Sequence, residues 1–281
     1  MTKKRRIILC ICFFLLLAPI IVVVIINIPF HIIRRFTKVV YLGASGLVLF
    51  TLVTNGAEGV KAWTDVIWGM TIQPSEFIKL AMILMLAQEL AKTEQPMSTM
   101  KEFGRIMALI AVPGIIILAS GETGSLIVIV FLAAVMMFFS NVNMKLLLSM
   151  AAVVVLLILA VYGFVVATGV EDYRINRILA FLNPELSPLD DAYQMRQSQI
   201  AIGSGGMWGM GLGQGSPRNI PLYHSDFIFA SIAEEFGLIF SICLMAVYVL
   251  IIMRGLSMAM NSRTSFLSLI AFGIVTMLGL Q

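Results

Sequence analysis

Charged residues are scarce in this chain. They make up 12% of its 281 residues, whereas hydrophobic residues make up 60%, and the mean hydropathy is +1.00. A water-soluble domain carries roughly 25% charged residues. Because half of that fraction cannot cover a globule with polar groups, the excess apolar surface must face lipid. The composition therefore excludes a soluble protein and predicts an integral membrane protein.

Cysteines and several familiar catalytic motifs are also scarce or missing. Cys10, Cys12 and Cys243 all lie in apolar runs, which predicts neither a disulfide nor a metal site. No HExxH, Walker or GxSxG motif occurs, so a metalloprotease, an ATPase and a serine hydrolase have no support. The net charge of +4 is small and lies near helix ends, which argues against nucleic acid as a partner.

Long apolar runs recur along the chain, at about the 20 residues that cross a bilayer core. They predict an all-α polytopic bundle of about eight transmembrane helices in a single membrane domain, 1–281. The connection at 169–225 is polar, glycine-rich and too charged to cross a membrane. The predicted spans are 7–29, 38–54, 72–91, 105–121, 123–140, 144–168, 226–254 and 264–281.

Basic residues are distributed unequally between the two ends of these spans. The short loops of one side carry only Lys61, and the other side carries nine basic residues, so the latter is predicted to be cytoplasmic and loop 169–225 to be outside. The basic cluster 3–6 then falls outside, against the rule, and a helix upstream would resolve this conflict. The nine are Arg34, Arg35, Lys38, Lys92, Lys101, Arg105, Lys145, Arg254 and Arg263.

Polar residues at the start of the third span are the first candidates for function, since such residues are rare in membranes. Pro74 suits the first turn of a helix. Glu76 and Lys79 are three residues apart, so they share a helix face and can pair. The pair is either a structural lock between helices or the charged floor of an outer substrate site.

Glycines are concentrated near the end of the polar loop, from Gly203 to Gly215. Glycines at this density allow a backbone to approach a ligand or another helix closely, and their exposed N–H groups can bind phosphate. A flexible linker is the alternative, against which Trp208, Tyr193, Gln194 and Gln197 argue. The segment is expected to be ordered and to form part of a site.

Asp226 begins the apolar run of the seventh span. It could be a helix N-cap, or a general base whose carboxylate is desolvated by the neighbouring apolar residues. A helix N-terminus would favour the anion instead, and the residues alone leave both interpretations open. Glu234 and Glu235 follow roughly 12–14 Å deeper along a helix and need partners, for which Lys79 and the arginines of neighbouring spans are candidates.

These motifs together resemble the SEDS family of bacterial wall growth, which includes RodA, FtsW and SpoVE. The resemblance is strongest at YQMRQSQIAIGSGG, residues 193–206, and at SDFIFASIAEEFG, residues 225–237. QPSEFIKL at 73–80, the turn from Asn55 to Trp63, and Arg177 with FLNP at 181–184 support it. Order and spacing agree along nearly the whole chain.

The resemblance implies a peptidoglycan glycosyltransferase of the bacterial plasma membrane that polymerises lipid II. Asp226 matches the family's catalytic acidic residue and would deprotonate the acceptor hydroxyl. It implies membrane lipid and a class B penicillin-binding protein as partners, and no organic cofactor, with room for a divalent cation. The expected substrate-binding residues are Lys61, Glu76, Lys79, Gln194, Gln197, Ser198, Ser204 and His224.

Three departures from the family pattern stand out. The basic residue of the first outer turn has moved one place, to Lys61. Pro221 is followed by leucine rather than glutamate, and Glu122 lacks the usual neighbouring proline. The family's first and last helices have no counterpart, which suggests a truncated chain. A lipid II flippase and a non-catalytic scaffold for a penicillin-binding protein are the rival functions.

The predicted sidedness of loop 169–225 can be tested by cysteine labelling in whole cells. A cysteine replacing Ser187, with Cys10, Cys12 and Cys243 changed to serine, should react with a membrane-impermeant maleimide in intact cells because the loop lies outside. If the cysteine reacts only after the cells are permeabilised, the loop lies inside and the predicted topology is inverted.

Overall fold

The computed structural model describes residues 17–53, 64–67, 70–92, 97–152, 189–215 and 226–281. Parts of the predicted spans 7–29 and 144–168, and parts of loop 169–225, lie outside these residues. The described elements, in chain order, are α1 (Leu17–Asn27), α2 (Phe30–Val53), β1 (Thr64–Ile67), β2 (Met70–Ile72), α3 (Pro74–Leu90), α4 (Met100–Ala119), α5 (Thr123–Phe139), α6 (144–152), α7 (Leu189–Ser204), α8 (Ile228–Met260) and α9 (Ser265–Leu280).

The predicted helical membrane fold is confirmed. Among the described residues, α2, α4 and α8 are long and apolar enough to cross a membrane, and α1, α5 and α9 contain shorter apolar helices. The predicted spans 72–91, 123–140 and 264–281 agree with α3, α5 and α9 to within two residues at each end. These helices end close to where their apolar runs end.

Three helices extend beyond the membrane spans predicted for them. The span predicted at 38–54 begins at Phe30, the span predicted at 105–121 begins at Met100, and the span predicted at 226–254 continues to Met260. Hydropathy marks the hydrocarbon part of a helix, but the backbone bonds continue through the charged interface. Long cationic side chains such as Arg34 and Arg35 can direct their charge into water from there.

The all-α prediction also missed a small hairpin between α2 and α3. Strands β1 and β2 are antiparallel, with Thr64 opposite Ile72 and Ile67 opposite Met70, and an irregularity between Asp65 and Ile67. A search for apolar runs of helical length has no means of finding strands of four and three residues.

The chain divides into two compact units. One comprises residues 1–147 and 256–281, and the other residues 148–255. In the first unit α3 lies at the centre, in contact with α2, α4, α5 and α9. A helix that is apolar all round is expected to be buried, and Ile78, Met82, Ile83 and Leu86 are at most 1% exposed.

The buried face of helix α2 consists mostly of small or uncharged polar residues. Thr37, Tyr41, Ser45 and Thr51 are buried together with Val48, while most large apolar residues of α2 are exposed. The Tyr41 hydroxyl donates to the backbone oxygen of Leu109 in α4 over 2.8 Å. Because lipid solvates apolar groups well, small and polar residues mediate helix contacts in membranes.

Helix α9 approaches α3 closely at Gly273. A Cβ atom there would lie 2.6 Å from Cγ2 of Ile83 and 3.2 Å from the sulfur of Met136 in α5. Beside it, the ring of Phe272 stacks on that of Phe139, with centroids 3.8 Å apart and planes 7° from parallel. Residues 272–273 therefore join three helices of the unit.

An ion-pair cluster joins α3 to α4 at the predicted cytoplasmic end. The Glu89 carboxylate is buried and lies 2.5 Å from Nζ of Lys92 and 2.8 Å from the guanidinium of Arg105. A buried carboxylate with two cationic partners is a structural arrangement, since loss of one partner would leave a charge uncompensated.

Gly273→Ala should destabilise the first unit. Packing an extra methyl group into a filled contact costs about 1–3 kcal/mol, so thermal unfolding in detergent should begin at a lower temperature. Gly104→Ala is the matched control, because a Cβ there meets nothing within 4 Å and alanine is the better helix former by about 1 kcal/mol. Equal stability of the two variants would contradict the close α3–α9 contact.

Candidate active site

Helix α8 is broken at Gly237. Its φ of 82° and ψ of −179° are non-helical and divide α8 into two helical parts. Such a break removes the regular hydrogen bonds around it, leaving carbonyl groups before the break and N–H groups after it. In an apolar environment each of these groups needs another partner.

A glycine-rich segment supplies those partners. In this segment, residues 205–215 and hereafter the glycine loop, the N–H groups of Met210 and Gly211 donate to the carbonyls of Glu234 and Glu235, over 2.9 and 3.0 Å. In the opposite direction, Leu238 donates to the carbonyl of Gly206 over 2.9 Å, and Ile239 to that of Met207 over 3.4 Å. The loop thus satisfies both sides of the break.

Glycine is required on both sides of this contact. A Cβ atom on Gly205 would collide with the carbonyl oxygen of Ala233, and one on Gly237 would lie 2.6 Å from the oxygen of Met207. Gly209 likewise has no space beside the carbonyl of Glu235, and its φ is +82°. The glycine loop is therefore a packed element and not a flexible spacer.

The C-terminal end of helix α7 contacts the start of α8. Ala201 packs against Ala230 and Phe227, and four residues further along, Gly205 meets Ala233. The two elements therefore meet where α7 ends and the glycine loop begins.

Three of the predicted substrate-binding residues share a polar face of α7. Gln194, Gln197 and Ser198 precede Ala201 at helical spacings of seven, four and three residues and are half-buried, so they share its face. Ala201 on this face contacts Phe227, the residue after Asp226. The closeness of the three polar residues to Asp226 stays a prediction.

Asp226 lies one residue too early to be the N-cap of α8. The helix begins at Ile228, and the carbonyl of Phe227 accepts the N–H of Ser231 over 3.3 Å, so Phe227 holds the N-cap position. The Asp226 side chain is exposed and has no hydrogen bond to any residue that the structure describes. This geometry favours a carboxylate available to a substrate over a capping role.

The other predicted binding residues are placed less favourably or lie outside the described residues. Ser204 is exposed at the end of α7, roughly 9 Å beyond Ser198 along the helix, and its hydroxyl donates to the carbonyl of Ala201 over 2.8 Å. Lys61 and His224 fall in segments that the structure does not describe.

A second polar cluster occupies the N-terminal end of α3, in the first unit. The predicted pairing is present, with Nζ of Lys79 2.6 Å from Oε1 of Glu76. Burial is uneven, since the lysine side chain is 3% exposed and the glutamate 42%. Gln281 donates to Oε2 of Glu76 over 2.9 Å.

The same cluster links α3 to the start of α5. Nε2 of Gln73 donates to Oε1 of Glu122, and the hydroxyl of Ser125 lies 3.4 Å from that of Ser75. Both contacts tie the polar ends of the two helices together at the predicted outer side.

Glu234 is packed against the glycine loop. The sequence suggested Lys79 or an arginine of a neighbouring span as its partner, and of these Lys79 pairs with Glu76. Glu234 is 4% exposed and its carboxylate lies against the last residue of the glycine loop, since a Cβ on Gly215 would be 2.9 Å from Oε2. The side chain and carbonyl of Glu234 both contact the loop.

Sequence reasoning missed Gly237 and the pairing of the glycine loop with α8. The available signal was a lone glycine within an apolar helical pattern, directly after two glutamates, because such a glycine often has a packing role. Within the described residues, no group of three or more His, Cys, Asp or Glu residues could hold a metal ion. The divalent cation therefore stays a prediction.

Comparison with known proteins decides the family. The FtsW/RodA/SpoVE family model, described as "Cell cycle protein", matches residues 2–281. The chain belongs to this family. It is 32% identical over 254 residues to the probable peptidoglycan glycosyltransferase FtsW of Geobacter metallireducens, covering 88% of this chain and 66% of the relative.

Two further relatives carry different names within the family. Peptidoglycan glycosyltransferase MrdB of Escherichia coli K12 is 33% identical, over 79% of this chain and 59% of its own length. Stage V sporulation protein E of Bacillus subtilis is 31% identical, over 92% of this chain and 70% of its own length. The chain thus spans roughly two thirds of the length of these relatives.

Solved structures show the same fold. One, described as "Structural coordination of polymerization and crosslinking by a peptidoglycan synthase complex", matches with a TM-score of 0.76 at 23% identity, covering 95% of this chain and 74% of that one. The rod shape determining protein RodA of Thermus thermophilus matches with a TM-score of 0.59 at 19% identity, covering 90% of this chain and 65% of that one. The chain is a multi-pass protein of the bacterial plasma membrane.

The uneven burial of the Glu76–Lys79 pair predicts unequal effects of removing each partner. Breaking a fully buried pair costs about 3–5 kcal/mol, and water around Glu76 reduces this figure. Glu76→Ala leaves a buried cation without its partner, so it should lower the yield of folded protein more than Lys79→Met, which leaves a hydrated carboxylate.

The double variant Glu76→Ala with Lys79→Met is the control, because it removes both charges and should recover part of the loss. The measurement is the folded fraction by size-exclusion fluorescence. Normal yields for both single variants would show that the pair does not stabilise the fold.

Proposed function

We propose that this protein is a peptidoglycan glycosyltransferase that polymerises lipid II into glycan strands. The carrying observation is the exposed Asp226 carboxylate, which lies outside the N-cap position of α8. The names of the FtsW and MrdB relatives support the reaction class.

In the proposed reaction, Asp226 accepts the proton of an acceptor sugar hydroxyl. The hydroxyl oxygen then forms a bond to the anomeric carbon of the donor strand, and the bond from that carbon to undecaprenyl diphosphate breaks. The diphosphate leaves with the electron pair of the broken bond. A positioned general base typically accelerates such a step by about 10²–10⁴-fold.

The polar face of α7 is suited to holding a sugar. Gln194 and Gln197 each offer an amide that donates and accepts hydrogen bonds. The Ser198 hydroxyl donates to the carbonyl of Met195 over 2.7 Å, and its oxygen still has lone pairs that can accept. These groups would orient the acceptor next to Asp226, which reduces the entropic part of the barrier.

Lys79 and Lys61 are proposed to stabilise the departing diphosphate. A cation directed at developing negative charge contributes strongly in a site that excludes water. A diphosphate would compete with Glu76 for the Lys79 ammonium. The half-exposed glutamate can turn towards water when the competing anion arrives, which is consistent with the uneven burial of the pair.

A class B penicillin-binding protein is the proposed partner. The solved structure with a TM-score of 0.76 is a peptidoglycan synthase complex that coordinates polymerisation with crosslinking. Because a polymerase alone produces uncrosslinked strands, a crosslinking partner would complete the product.

Asp226→Asn should abolish most polymerisation while the protein stays folded. Asparagine keeps the size and capping ability of aspartate but cannot take the proton, so the rate should fall about 10²–10⁴-fold. Lipid II polymerisation in proteoliposomes and the folded yield are measured together. The chain is tested as a chimera with the Geobacter relative. The relative supplies those of its own segments that lie outside the match.

Glu102→Gln is the matched control, since this carboxylate lies in the first turn of α4, at its predicted cytoplasmic end. It should leave the rate unchanged. A folded Asp226→Asn variant that polymerises near the parental rate would remove Asp226 from the mechanism.

A further inference from the structure

The glycine loop exposes a patch of large apolar side chains. Trp208 is 82% exposed and Leu212 75%, and Met207 and Met210 are also exposed. These residues alternate with glycines that have positive φ, from 54° at Gly206 to 100° at Gly211. A cluster of exposed apolar side chains outside the predicted spans indicates a surface that contacts another molecule or the membrane.

The backbone bonds to α8 fix the level of this patch. Residues 236–253 of α8 contain no charged residue, and Glu235 and Arg254 bound them. At 1.5 Å per residue these 18 residues extend about 27 Å, close to the roughly 30 Å of a bilayer's hydrocarbon core. The break at Gly237 therefore lies at the outer end of this uncharged run, whose length fits the hydrocarbon core better than the 29 residues of the predicted span 226–254.

The patch is continuous with the lipid-facing surface of α8. Leu238 and Ile239 donate backbone bonds to Gly206 and Met207, and both have exposed apolar side chains. Tryptophan favours the interface between water and hydrocarbon, because its ring is apolar and its indole N–H is polar.

We propose that the glycine loop is an interfacial anchor, in which Met207, Trp208, Met210 and Leu212 insert at the headgroup level of the outer leaflet. The occupant of the patch is membrane lipid. Because the loop is bonded to both sides of the break, its insertion fixes the depth of α8. Residues 228–236 then rise roughly 13 Å above the hydrocarbon, which sets the height of Asp226. The anchor does not depend on the glycosyltransferase activity.

Depth-dependent fluorescence quenching tests the anchor. The chain has three tryptophans, so Trp63→Phe with Trp68→Phe leaves Trp208 as the single reporter. The full chain is reconstituted in phosphatidylcholine vesicles with acyl-chain bromines either near the headgroup or near the bilayer centre. The emission of Trp208 should be blue-shifted. Bromines near the headgroup should quench it most, and acrylamide in the aqueous phase should quench it little.

Three results would overturn the proposal. Red-shifted emission quenched by acrylamide and by neither lipid would place Trp208 in water. Blue-shifted emission that no brominated lipid reduces would assign the patch to a protein contact. Stronger quenching by central than by shallow bromines would place the loop too deep for an interfacial anchor.

Gly209→Ala in the same background tests whether docking onto α8 sets the depth. A Cβ there collides with the carbonyl of Glu235, so the preference for shallow bromines should be lost. Gly203→Ala is the matched control, with nothing within 4 Å of its added Cβ, and should keep that preference. If the quenching pattern of Gly209→Ala is unchanged, docking of the loop onto α8 does not determine the depth of Trp208.

Discussion

The need to satisfy every backbone polar group near hydrocarbon governs the second unit of this protein. A lone unpaired N–H or C=O at such a place costs several kcal/mol. The break at Gly237 removes regular helical bonds, and four bonds between the glycine loop and α8 replace them. The glycines at 205, 209 and 237 are required because only they allow the two backbones to approach so closely.

The same contact also joins the polar connection to the start of α8. Docking of the glycine loop holds the end of α7 against α8, where Ala201 packs on Ala230 and Phe227. Phe227 directly follows Asp226, so the contact fixes the backbone next to the proposed catalytic carboxylate.

Helices were predicted accurately from the sequence where the apolar run extends over the whole helix. Helices α3, α5 and α9 are of this kind, and Asp226, Glu76 and Lys79 stood out because charge is rare in such surroundings. Helix α7 was missed because its composition is polar and its apolar residues do not form one stripe. The break in α8 was missed because the residues on both sides of Gly237 continue the helical pattern, and its cause lies about 30 residues earlier in the chain.

The central position of α3 has a consequence for assembly in the membrane. Gly273, which packs on Ile83, is synthesised about 190 residues after it, which takes about 10–40 s at 5–20 residues per second. During that interval the side of α3 that will meet α9 faces lipid or the insertion machinery. Insertion and final packing are thus separate stages for this helix, and a quality-control protease would encounter an uncovered α3 before α9 arrives.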